Sequence, residues 1–174
     1  MDVSRVQGFE AVVGASAHSL ILGSMPGIAS LTAEQYYAHP RNAFWWIIEQ
    51  VLGINHNAPY PIRLQQLSDQ GFLLWDVLQS CERPGSLDSA IDKTSIEIND
   101  FASLLSTHSS IQRVLLNGGA AFTLWQKRVV PTLEKELEGS LPETIKLPST
   151  SPAYASMNRE TKRQHWQTIA LTPS

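Results

Sequence analysis

The chain has 174 residues, of which 43% are hydrophobic and 17% charged, a balance that excludes a disordered protein and suits one folded domain spanning residues 1–174. Cys81 is the only cysteine, so an intrachain disulfide and a thiolate zinc cluster are both excluded, and a reducing, cytoplasmic home is expected. The formal net charge of −3 runs against the basic character of most nucleic-acid binders. Its distribution is more permissive. Lys146, Arg159, Lys162 and Arg163 face Glu160 alone in the C-terminal segment, whereas Glu134, Glu136, Glu138 and Glu143 crowd the stretch before it. One basic face opposite an acidic one, or two ordinary solvated helix faces, would give the same pattern.

In chain order, Met1 to Ala11 lacks the basic and apolar regions of a signal peptide, and no apolar run is long enough to cross a bilayer. Ala17 to Leu22 predicts a strand that stops at the glycine-bracketed loop Gly23, Ser24, Met25, Pro26, Gly27. Leu31 to Tyr37 predicts a short helical turn, ended by His39-Pro40-Arg41-Asn42. Phe44, Ile47, Ile48, Val51 and Leu52 recur at helical spacing, with Gly53 as the stop signal. Arg63 to Gln70 predicts another helix. Phe72 to Val77 reads as a strand interrupted by Asp76, followed by a loop at Glu82 to Ser86.

Ile96 to Leu105 carries helical spacing through Ile98, Phe101 and Leu105. Val114 to Leu116 is a buried strand running into Asn117-Gly118-Gly119, with a helix from Ala120 to Val130 that Pro131 kinks or restarts. Thr144 to Leu147 is the last strand and meets the irregular loop Pro148 to Pro152. A helix over Thr161 to Leu171 closes the chain.

Short apolar strands alternating with helices predict an α/β fold with a parallel sheet covered on both faces. In such folds the loops leaving the carboxyl ends of the strands build the active site. Gly23-Ser24, Asp76, Asn117 and Ser149-Thr150-Ser151 all follow predicted strands, so they converge on one edge. Each also has a structural reading: Asn42 caps a helix, the glycines turn the backbone, and Ser149 to Ser151 close a turn. The five histidines show no metal-ligand spacing. The chain has neither a nucleotide-binding glycine motif nor a Gly-x-Ser-x-Gly elbow.

Three segments, GSMPG at 23–27, QYYAHPRNAFW at 35–45 and LPSTSPA at 147–153, resemble the uracil-DNA glycosylase superfamily. The resemblance covers nearly the whole chain and is strongest to the hypoxanthine-DNA (deoxyinosine) glycosylase branch, with the mismatch-specific uracil glycosylases beside it. It implies a three-layer α/β/α sandwich around a four-stranded parallel sheet, and hydrolysis of the bond between a deaminated base and its deoxyribose.

By that likeness Asn42 is the catalytic asparagine that positions water, and Tyr37 the aromatic that stacks on the flipped base. Gly23, Ser24, Met25, Pro26 and Gly27 lie against the base, and Asp76 or Asn117 reads its edge. Ser149, Thr150 and Ser151, helped by Arg159 and Lys162, grip the DNA backbone, while Ala153 or Tyr154 fills the space the base vacates. No metal or organic cofactor is implied, and the partner is single- or double-stranded DNA met by a monomer.

Three departures stand out. The first motif has no carboxylate, Leu147 stands where several branches carry a histidine, and Asp76 replaces an asparagine of the uracil-selective enzymes. Two rival readings remain from the sequence: a non-catalytic nucleic-acid binding module, which needs no Asn42, and a small nucleoside or nucleotide hydrolase with a closed pocket.

Overall fold

In a computed structural model that describes residues 5–14 and 16–173, two sheets share the chain. Met1 to Ser4, part of the segment considered for a signal peptide, lie outside the described residues. The principal sheet takes β2 (Ser19–Gly23), β3 (Phe72–Asp76), β6 (Arg113–Asn117) and β7 (Glu143–Leu147), in the order β3-β2-β6-β7 and parallel throughout. These are the four strands expected from the sequence, with their ends shifted by a residue or two: β2 starts later, β3 stops earlier, and β6 and β7 are longer.

Side chains alternate across the strands, and that period splits the core into two layers. Leu20, Leu22, Val114 and Leu116 pack with Phe101, Trp125 and Leu133 on one face. Ile21, Leu74 and Leu115 pack with Phe44, Ile47, Ile48 and Trp166 on the other. The first layer is closed by α4 (Phe101–Thr107), α5 (Gly119–Leu124) and α6 (Val130–Glu136); the second by α2 (Phe44–Leu52), α3 (Tyr60–Asp69) and α7 (Arg159–Trp166). The result is the expected α/β/α sandwich.

The second sheet was not expected. β1 (Arg5–Gln7), β4 (Leu78–Glu82) and β5 (Asp92–Ile98) pair antiparallel in the order β1-β4-β5. The predicted helix over Ile96 to Leu105 is corrected accordingly: Ile96 and Ile98 end β5, and the helix starts at Phe101, where the Asp100 side chain accepts from the Ser103 amide. The early helical turn also shifts, to α1 (Ile28–Ala33), which leaves Tyr37 outside it. A wide π turn over Trp125–Val129 separates α5 from α6, and Pro131 sits in the first turn of α6, where a missing N–H costs nothing. The predicted Asn42 cap moves by one residue: the N-cap of α2 is Ala43, which has no side-chain cap bond, and Asn42 just before it accepts from the Phe44 amide through Oδ1 at 3.0 Å, while Gly53 ends α2 in the left-handed region at φ 75°.

Among the described residues no helix is long and apolar enough to cross a membrane, and no group of three or more His, Cys, Asp or Glu side chains is placed to hold a metal.

Candidate active site

The carboxyl ends of β2, β3, β6 and β7 open onto a pocket of about 430 Å³. Gly23 to Gly27, Tyr37, Asn42, Asp76, Asn117, Ser149 to Ser151 and Ala153 all border it. Residues far apart in sequence meet because parallel strands deliver their C-terminal loops to one edge.

The floor is Gly23 beside Asp76, paired in the β2–β3 register. A Cβ on Gly23 would lie 2.5 Å from Asp76 Oδ1 and 3.1 Å from the Tyr37 hydroxyl, so only glycine admits both groups here. Asp76 is 4% exposed, and burial, reinforced by the nearby Asp88 charge and opposed by Arg83, pushes its carboxyl up to about 7. Asp76 Oδ2 and the Tyr37 hydroxyl are both buried with no hydrogen-bond partner. Burial, and secondarily Asp76, also raises the Tyr37 phenol against the lowering influence of the nearby Asn117 side chain, so the phenol stays protonated.

Tyr37 holds a left-handed backbone at φ 56°, a conformation that costs a non-glycine residue about 1–2 kcal/mol. Its neighbours over-determine that shape. The Tyr36 amide donates to the Tyr60 hydroxyl, the Trp45 indole donates to the Tyr36 carbonyl, and Phe44 stacks on the Tyr37 ring at 3.9 Å. One ring face is thus occupied by Phe44, and the hydroxyl is delivered to the pocket floor.

Asn42 enters from the start of α2. Its backbone N–H donates to the His39 carbonyl and its Oδ1 to Phe44 N–H contact fixes the amide plane, leaving a second lone pair on Oδ1. The next amide, Ala43, donates to the Thr150 carbonyl at 3.0 Å, which ties this segment to the Pro148–Ala153 loop.

That loop corrects three expectations. Thr150 is 1% exposed and cannot reach a phosphate; its amide donates to Asn117 Oδ1 and its hydroxyl accepts from Asn117 Nδ2, each at 3.0 Å. Asn117 borders the pocket, and that reciprocal pair makes it a clamp on the loop, leaving one N–H and one lone pair of its amide. Lys162 is buried, with Nζ donating to the Ser151 carbonyl and lying over the Tyr154 ring, so it braces the loop from behind. Burial lowers its amine accordingly. Ser149 and Ser151 keep partial exposure while capping the amides of Ser151 and Ala153, and Ala153 and Tyr154 stand exposed at the tip.

Arg159, stacked over Trp46 at 4.3 Å, lies in an adjoining cleft of about 610 Å³ that also takes in Arg41 and Arg63. Arg163 instead pairs with Glu160 at 2.7 Å, so the C-terminal cations do not form one free basic face.

Two contributors escaped sequence reading because they lie in the connection after β4. Arg83, buried, donates to the carbonyls of Pro26 and Gly85 and so braces the Gly23–Gly27 loop. Asp88 accepts from the Ser24 hydroxyl at 2.6 Å, closing one side of the pocket. The only available signal was the density of polar and turn residues in Glu82 to Asp88.

A doubly covered parallel sheet with a polar pocket at its carboxyl edge, an oriented asparagine and a loop exposed beside it defines a class of α/β enzyme that takes a ligand at the strand ends. Comparison with known proteins narrows the class. The sequence pattern of the Uracil DNA glycosylase superfamily matches residues 11–171, and the chain belongs to that superfamily. It is 34% identical over 166 residues to a hypoxanthine DNA glycosylase of Methanosarcina acetivorans, covering 94% of this chain and 96% of that protein. A hypoxanthine DNA glycosylase of Methanosarcina barkeri is 37% identical over 115 residues, covering 66% of this chain and 72% of that one. The solution NMR structure of a Methanosarcina acetivorans protein, described as a candidate uracil DNA glycosylase, superposes with a TM-score of 0.77 at 32% identity, covering 96% and 97% of the two chains.

Proposed function

We propose that the protein is a monofunctional DNA glycosylase that hydrolyses the N-glycosidic bond of deaminated bases, hypoxanthine first and uracil second, leaving an abasic site. The observation that carries this reading is the placement of Asn42, with its amide fixed by the Phe44 N–H, in the same pocket as the buried Asp76 and Tyr37. Superfamily membership and the two hypoxanthine DNA glycosylase relatives support it.

The target nucleotide must leave the stack before its glycosidic bond can be reached. The exposed tip at Ala153 and Tyr154 fills the vacated space, and Ser149, Ser151 and Arg159 contact the flanking backbone. Asn42 Oδ1 accepts a hydrogen bond from a water aimed at C1′. The water oxygen bonds to C1′ as the glycosidic bond breaks, the base departs with the electron pair, and the proton the water loses passes to solvent, from which the departing base takes up one proton. An amide is a weak base, so Asn42 contributes placement more than proton removal. Backbone amides of the Gly23–Gly27 loop offset charge growing on the departing base.

No lysine borders the pocket among the described residues, and Lys162 spends its amine on the Ser151 carbonyl, which disfavours a Schiff base and strand scission. The test is cleavage of labelled duplexes carrying one deoxyinosine or one deoxyuridine, followed by alkali, with Asn42→Ala alongside. Base release that vanishes in the variant supports the assignment. Binding without release by the unmodified protein would sink it and favour the non-catalytic binding module.

A further inference from the structure

Most polar groups at the pocket floor are already engaged. Ser24 donates to Asp88, Asn117 is bound at both ends to Thr150, and Asn42 Oδ1 receives the Phe44 amide. Two are not: the Tyr37 hydroxyl and Asp76 Oδ2, each buried and without a partner. Buried polar atoms in folded proteins are nearly always satisfied, and one left over calls for a ligand. These two are neighbours, because the Asp76 carboxyl and the Tyr37 hydroxyl both approach within about 3 Å of the point where Gly23 lacks a Cβ.

Both are also held rigidly. Tyr37 is fixed by its left-handed backbone and the Phe44 stack, and Asp76 ends β3 with its carbonyl bonded by Asn99 Nδ2.

Their chemistry is complementary. A phenol O–H donates, and an ionised carboxylate only accepts. One donor beside one acceptor matches a ring edge that offers a carbonyl beside an N–H. We infer that the Tyr37 hydroxyl and the Asp76 carboxylate form a paired reader of the lactam edge, Tyr37 donating to the base carbonyl and Asp76 accepting from the adjacent ring N–H. This rests on the glycosylase reading above and assigns Tyr37 a recognition role through its hydroxyl, in addition to its ring.

The reader separates each deaminated base from its parent. Hypoxanthine and uracil carry the lactam edge. Adenine and cytosine present an amino group where the carbonyl was and a bare ring nitrogen where the N–H was. In the same pose adenine sets donor against donor at Tyr37 and lone pair against carboxylate at Asp76, a mismatch at both positions. Guanine and thymine share the lactam edge, and their complete Watson–Crick pairs keep them in the stack, where extrusion costs most.

The test separates recognition from catalysis. Duplexes carrying 2′-fluoro-deoxyinosine or 2′-fluoro-deoxyadenosine opposite the same base resist hydrolysis, because fluorine disfavours positive charge on the sugar. Their Kd values report binding without chemistry, and because the cost of extruding each base is the same for the parent and Tyr37→Phe, the change in their ratio reports reading. The unmodified protein is expected to favour the inosine duplex by at least about tenfold, and Tyr37→Phe to bring that ratio close to one. Tyr37→Phe keeps the ring and removes an unpartnered buried hydroxyl, so its thermal midpoint should not fall, which excludes unfolding as the cause.

Equal affinity of the unmodified protein for the two duplexes, or an unchanged preference in Tyr37→Phe, would overturn the reader. Cleavage of ordinary deoxyinosine with no such preference would overturn the reader and leave the glycosylase standing. Preference lost in Tyr37→Phe with no cleavage would do the reverse.

Discussion

Asn117 and Thr150 grip each other through two reciprocal hydrogen bonds of 3.0 Å, one from an amide side chain to a hydroxyl and one from a backbone N–H back to the amide. The pair joins the end of β6 to the loop after β7, and the Thr150 carbonyl passes the constraint to Ala43, next to Asn42. Removing either partner strands a buried polar group, at about 1–3 kcal/mol. Asn117→Ala and Thr150→Val are each expected to lower stability in that range. The double variant should cost clearly less than their sum in a urea-denaturation cycle, because the interaction is lost only once. Strict additivity would argue against the clamp.

Asn42→Ala separates placement of water from folding. Loss of the Asn42 Oδ1 bond to the Phe44 N–H at the start of α2 costs about 1 kcal/mol. The loss of an oriented water is expected to lower single-turnover base release by about 100-fold or more. Thermal denaturation and single-turnover kinetics on the same preparation check both. A variant that loses both in proportion would give Asn42 only a structural role at the start of α2.

Asp76 makes release depend on pH. Its ionised form is the stronger acceptor of an N–H and has no O–H to oppose it, and burial and Asp88, against Arg83, hold it near 7, with Tyr36 and Tyr37 facing it as neutral phenols. kcat/KM for deoxyinosine is therefore expected to rise through about pH 7. In Asp76→Asn, which keeps a carbonyl acceptor, that inflection should vanish.

Stability runs the opposite way. The folded-state value lies above the ordinary 3.8, so the folded chain binds the proton more tightly and stability falls as pH rises from about 4 to about 7. Asp76→Asn should gain thermal midpoint relative to the parent at pH 8, and much less at pH 4. An equal gain at both pH values would contradict the raised carboxyl.

Arg159 tests the backbone contact. It is exposed and stacked on Trp46, whereas Lys162 is buried behind the loop. Arg159→Gln is expected to weaken binding to damaged and undamaged duplexes alike and to reduce the slope of log Kd against log salt by about one. Lys162→Met should affect stability more than that slope. If Lys162→Met alone changed the slope, the roles would be exchanged.

The four parallel strands were legible because each is a short apolar run closed by loop-forming residues. The convergence of their ends followed from parallel pairing. The antiparallel sheet was not legible. β5 begins Asp92-Lys93-Thr94-Ser95, mostly exposed, and Ile98 at its end falls at helical spacing from Phe101 and Leu105, so periodicity pointed to a helix. Burial of charge was equally hidden: Lys162 reads as one more cation of a basic helix until its amine is seen on the Ser151 carbonyl. Asn117 and Thr150 carry chemistry suited to a base or a phosphate, and only three-dimensional pairing shows that they satisfy each other.

The pocket draws its walls from two separate sheets. Asn42, Asp76 and the Pro148–Ala153 loop hang on the parallel sheet or the helices packed against it, whereas Asp88 and the brace from Arg83 come from the connection between β4 and β5. One lip of the entrance is thus carried by a segment outside the parallel sheet, tied to the Gly23–Gly27 loop through Pro26 and Ser24. Sequence drift in the β4–β5 connection would reshape that lip and the loop it braces while leaving Asn42, on the far side of the pocket's framework, in register, a route by which one scaffold could diversify the bases it admits.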